Sequence, residues 1–210
     1  MNLLLLEQAI NAERGRDMMT TLELRSTVSE ITTKNIQHAT SWMTKLSENQ
    51  LHWRPNPGIW SIAEVLAHLN SYARYYHPAI LKKITKTRYR NAKEEFVSSP
   101  LGRSAWKSMK LGRANNVKRK FKAPKGHNPS IDQELLDGNE LQKFLAQQEE
   151  LIDILDKSKE VNVRKVKIPI SISKIVRLRL GDALLFITFH NERHMQQILN
   201  LKTHKNFPIK

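Results

Sequence analysis

The chain of 210 residues carries 35 Lys and Arg against 20 Asp and Glu, a net charge of +15, and contains no cysteine. That length suffices for one full core with an insertion. The missing thiols exclude disulfides and thiolate metal sites, and no apolar run approaches the roughly 18 residues of a membrane span. The charge is local: residues 82–125 hold 15 Lys and Arg against Glu94 and Glu95, residues 157–180 hold 8 against Glu160, and the remainder is net acidic. Such clustering points to a local positive surface.

Residues 1–19 read as an N-terminal appendage ahead of a domain spanning 20–210. The opening run Met1-Asn2-Leu3-Leu4-Leu5-Leu6 lacks the basic start and small-residue cleavage site of a signal peptide, so a cytoplasmic location is expected. Thr20 and Glu23 match a capping box, in which hydroxyl and carboxylate each satisfy a free helix donor. A helix from about Thr21 to Ser47 should follow, with Leu24, Val28, Ile31, Ile36, Trp42, Met43 and Leu46 inward. Pro55 and Pro57 then break the helical pattern and make Leu51 to Trp60 a connector. Trp53 and Trp60 are expected to pack this connector against the bundle.

Ser61 and Glu64 form a second capping box. The helix they open has an inward stripe of Ile62, Val65, Leu66, Leu69, Tyr72, Tyr76 and Ile80, with His68 on the same side. Pro78 should kink or end it near His77. Residues 87–137 form a long basic connection with Pro100, Pro124 and Pro129 and little periodicity, expected as a loop. Tyr89, Phe96, Trp106 and Phe121 lie among its basic residues. The mixture suits phosphate contacts with stacking; the favoured alternative is a mobile solvated loop that its aromatics tack to the bundle.

A third helix is expected from Asn139 to Leu155, with Leu141, Phe144, Leu145, Leu151, Ile152 and Leu155 inward and Gln147 to Glu150 mainly outside. Alternation in Val161–Arg164 and Lys167–Ser173 suggests an extended crossover with at most a small ribbon. The last helix covers Gly181 to Leu201, with Asp182 placed to cap it. His190 and His194, four residues apart, share a side of this helix and can hold one divalent ion between them. Two core-edge histidines bonded to backbone or water would give the same spacing. A zinc protease has Glu directly after the first His; here Asn191 holds that place, and Glu192 faces away.

Two stretches together resemble the DinB-like (YfiT-like) superfamily of metal-dependent enzymes. One is Arg54-Pro55-Asn56-Pro57-Gly58-Ile59-Trp60-Ser61 through His68-Leu69. The other runs from Leu180-Gly181-Asp182 through His190-Asn191-Glu192-Arg193-His194-Met195-Gln196-Gln197. The likeness extends over roughly residues 20–201.

It implies an all-α four-helix bundle, up-down-down-up, with the basic segment 87–137 inserted between its second and third helices. It also implies a divalent metal, zinc or nickel, on His68, His190 and His194. The activity implied is that of a transferase or hydrolase acting on a small molecule, with S-transfer from a low-molecular-weight thiol foremost. Glu64 and Tyr72 are weak catalytic candidates, because capping competes for Glu64 and Tyr72 offers only an orienting hydroxyl. The alternative is a non-catalytic protein of the DNA-damage or stress type, whose basic residues 87–125 contact nucleic acid or another polyanion. No membrane association is expected, and a homodimer is allowed.

Overall fold

The computed structural model describes residues 18–117 and 121–209. Four long helices form its body: α1 (Thr21–Ser41), α3 (Ile62–Lys86), α5 (Glu140–Lys157) and α6 (Leu180–Lys202), with the short α2 (Glu48–His52) in the first connection and α4 (Pro100–Met109) in the second. Helix α1 packs on α5 and α6, and α3 packs on the same two. No helix among the described residues is long and apolar enough to cross a membrane.

Both capping boxes form as expected, Thr20 with Glu23 and Ser61 with Glu64. The first helix stops at Ser41, before a 3-10 turn at Met43–Lys45 and the separate α2. Pro78 does not end α3, which continues to Lys86. Pro78 and Arg74 both lie on the solvent side, so the Arg74 carbonyl, deprived of its helical donor, faces water rather than the core.

The bundle core divides into two apolar clusters. One gathers around Leu24, Val28, Tyr76, Ile80, Leu151, Ile154 and Leu184; the other around Ala39, Met43, Ile62, Leu66, Phe144 and Ile198. Burying each such side chain contributes roughly 1.5–3 kcal/mol. On every long helix, buried polar residues fall between the two clusters: Thr32 and Asn35 on α1, His68 on α3, Gln148 on α5, and Thr188, His190 and Asn191 on α6. Gln148, expected outside, instead faces inward and accepts a 3.3 Å hydrogen bond from Asn191 Nδ2. The histidines thus belong to a polar belt across the middle of the core.

Among the described residues the basic connection contributes a strand and a helix that pack on the rest of the fold. Strand β2 (Glu95–Val97) pairs antiparallel with β1 (Met18–Thr20), and α4 lies along α6. Phe96 is fully buried and Trp106 nearly so. Asp182 does not cap α6, which begins at Leu180 without a side-chain cap. Buried completely, its carboxylate accepts from the Ser99 amide (3.1 Å) and hydroxyl (2.8 Å), pinning the start of α4 to α6. Glycine permits this approach: a Cβ on Gly102 would fall 2.1 Å from the Asp182 carboxylate. The second ribbon, β3 (Lys167–Ile170) with β4 (Ser173–Arg179), takes up the alternating segment. Residues 1–17 of the appendage, with Lys118, Arg119 and Lys120, lie outside the described residues.

Candidate metal centre

Helix α3 presents His68 and α6 presents His190 and His194 to one point in the polar belt. One ligand atom from each of the three lies within 4.8 Å of the others, the sole such group among the described residues. His68 Nε2 stands 3.2 Å from His190 Nε2. Two nitrogens on a tetrahedral zinc are about 3.3 Å apart, given bonds of roughly 2.0–2.1 Å, so this pair already has the span of a shared ion.

The opposite edges of two rings are occupied. His68 Nδ1 lies 2.5 Å from the His127 main-chain oxygen, and His194 Nδ1 lies 3.0 Å from Gln197 Oε1. A carbonyl oxygen only accepts, so each Nδ1 carries the proton and each Nε2 keeps its lone pair. This is the outer-shell arrangement that fixes a metal-binding tautomer. His190 Nδ1 is buried without a hydrogen-bond partner among the described residues.

Burial keeps all three imidazoles neutral. It lowers His68 to about 4, partly offset by the bond to the His127 carbonyl. His190 and His194 are held well below the ordinary value by burial first, then by neighbouring imidazoles and Arg193. Neutral imidazole is the form that coordinates metal.

Aromatic rings enclose the cluster. Trp60 lies 5.1 Å from His68 and 6.5 Å from His194, between ring centroids, and its Nε1 donates to Ser130 Oγ at 2.7 Å. The connector tryptophan expected to pack on the bundle therefore also walls the cluster. Tyr72 is 4.4 Å from His190 and 5.1 Å from His68; burial, then Tyr76, pushes its hydroxyl up to about 12. Phe186 stacks on His190 at 5.8 Å.

Glu64 is buried and committed elsewhere. It accepts from the Ser61 amide at 2.9 Å and holds Arg54 through both carboxylate oxygens, at 2.7 and 2.8 Å. Asn191, at the zinc-protease Glu position, turns from the cluster towards Gln148.

The family model for the DinB superfamily matches residues 31–198, which contain all three histidines. The chain belongs to the DinB superfamily. It is similar to the uncharacterized protein YuaE of Bacillus subtilis (strain 168), with 28% identity over 158 residues, covering 75% of this chain and 86% of that one. No solved structure matches it. Superfamily membership and the three-histidine cluster together fit a metal-dependent function.

Sequence reasoning located His68, His190 and His194 but missed the groups that orient them. Gln197 was legible in principle, since an amide three residues beyond a ligand sits on the same helix face. His127 gave no signal, because it reaches the centre through a 3-10 turn at Lys125–His127 in a segment without periodicity.

Proposed function

We propose that this DinB-superfamily chain is a metal-dependent transferase or hydrolase of small molecules, with S-transfer from a low-molecular-weight thiol to an electrophile as its foremost chemistry. Its domain spans residues 20–210 as an up-down-down-up bundle, with 87–137 inserted between the second and third long helices. In support of that connectivity, Leu24 near the start of α1 lies against Gly181 at the start of α6, whereas Trp60, just ahead of α3, meets His194 in the second half of α6.

The observation that carries the reading is the convergence of three imidazoles, two with Nδ1 already bonded to an acceptor. His68, His190 and His194 would hold the ion, zinc or nickel by donor type. A divalent ion on three neutral imidazoles leaves a position for a further ligand and lowers the pKa of a water or thiol bound there. The His127 carbonyl and Gln197 amide hold two of the rings in register. Trp60, Tyr72 and Phe186 exclude bulk water, and Tyr72 is placed to orient a substrate. Glu64 serves the fold through its cap and Arg54. The first assay is a thiol with an electrophile, followed by ester and amide panels. Turnover should be lost with chelator and restored by zinc or nickel; inert metal-loaded protein in every panel would reject the catalytic reading.

The concentration of charge in residues 82–125 favours a second reading, a polyanion-binding protein. Neutralising Lys118, Arg119, Lys120 and Lys122 should then weaken DNA or RNA binding and flatten its salt dependence. Binding unchanged by those substitutions would remove that segment as the interface.

A further inference from the structure

We infer that an apolar cavity beside the histidine cluster takes the organic substrate, and that this substrate is an uncharged small molecule with one ring or a branched aliphatic body. The assignment of a substrate role rests on the catalytic reading above; the ligand chemistry comes from the cavity itself. The cavity has a volume of about 190 Å³ and borrows one wall, Tyr72 and Phe186, from the metal centre. Both rings also face His190, with centroids 4.4 and 5.8 Å away. A molecule seated there touches the same two rings that contact His190.

The other walls come from outside the bundle. Ala105 of α4 and the tip of the β3–β4 ribbon line the cavity. The ribbon is tied to α3 by Tyr75 Oη, which donates to the Ile170 carbonyl at 3.0 Å, and by the Ser171 amide, which donates to Tyr76 Oη at 3.4 Å. The two segments that depart from four plain helices therefore meet where a substrate would need a pocket. Leu101 and Ile172, 53% and 66% exposed, extend the apolar surface outward along the lining. Exposed large apolar side chains grouped beside a concavity mark a binding surface more often than isolated ones do.

Size and charge define the ligand. An apolar cavity of about 150 Å³ stays dry and binds benzene, so this one accommodates a single ring with a short substituent. Among the described residues no charged side chain lines it, and an unpaired ion buried there would lose its hydration without a compensating partner. Among the described residues the hydroxyls of Tyr72, Tyr76 and Ser171 are the polar side-chain groups of the lining, suited to one hydroxyl or carbonyl on the ligand.

The test uses the full chain, purified without a histidine tag, with metal content measured in parallel. Binding of 4-fluorobenzyl alcohol and of 4-fluorobenzenesulfonate is followed by fluorine NMR. The alcohol should bind saturably, and the sulfonate at least tenfold more weakly despite the chain's positive charge. Ala105→Phe should lower affinity for the alcohol at least tenfold with bound metal unchanged. Ile172→Asp, at an exposed position that folding tolerates, should lower it severalfold. Absence of saturable binding, equal binding of the sulfonate, or affinity indifferent to Ile172→Asp would overturn the proposal. Metal without probe binding sinks the pocket alone; probe binding without metal sinks the metal centre and leaves the pocket.

Discussion

His68 Nδ1 meets the main-chain oxygen of His127 at 2.5 Å, so a residue of the basic connection selects which nitrogen of a buried histidine keeps its lone pair. His127 is itself held, its Nδ1 lying 2.8 Å from Ser71 Oγ, one turn along α3 from His68. Two contacts thus join the basic connection to α3 at the histidine cluster.

Gln197 gives His194 its tautomer. Removing such an outer partner typically costs 10–100-fold in metal affinity. Gln197→Ala should weaken metal binding by about that factor, with helical content unchanged, as read by competition with a chromophoric chelator. Gln197→Glu, which still accepts from Nδ1–H, should retain most of the affinity.

Asp182 tests what anchors α4 to α6. Asp182→Ala would leave the Ser99 amide without its carboxylate partner and should cost about 1–3 kcal/mol in chemical denaturation. Gly102→Ala should also destabilise, although alanine ordinarily favours a helix over glycine, because its Cβ would meet the Asp182 carboxylate. If neither substitution changes stability, the packing of α4 on α6 is not what holds the segment.

His77 supplies a pH signature away from the metal centre. It is buried and bonded to Glu150 at 2.7 Å, and burial lowers its pKa below 6.5 despite the upward pull of Glu150. The unfolded chain therefore binds more protons at this site just below pH 6.5, and stability must fall as pH drops from there towards the folded value. His77→Gln should flatten that part of the stability curve relative to wild type, measured by denaturation with excess chelator. A slope identical in both proteins would contradict a buried neutral His77.

The long helices were legible because their apolar residues recur at helical spacing, and both capping boxes announce their starts. Reading hydropathy alone misassigned parts of the inner face. Ile31 and Ile36 are only half-buried while Thr32 and Asn35 are buried, and Gln148 points inward, because the middle of this core is polar. Helix α4 was invisible for a related reason. It buries only Gly102 and Trp106, packing by close approach rather than through an apolar stripe. His190 and His194 were visible as a pair on one helix, and His68 as an inward histidine on another. Their convergence depends on how α3 and α6 pack, which no local pattern encodes.

The most direct measurement is elemental analysis of tag-free protein beside His68→Ala, His190→Ala and His194→Ala, each checked for helical content. About one zinc or nickel ion per wild-type chain, and loss of tight binding in all three folded variants, is the expected result for a site with three imidazole ligands. A wild-type chain that takes up neither ion, or an ion retained equally by the three variants, would contradict it.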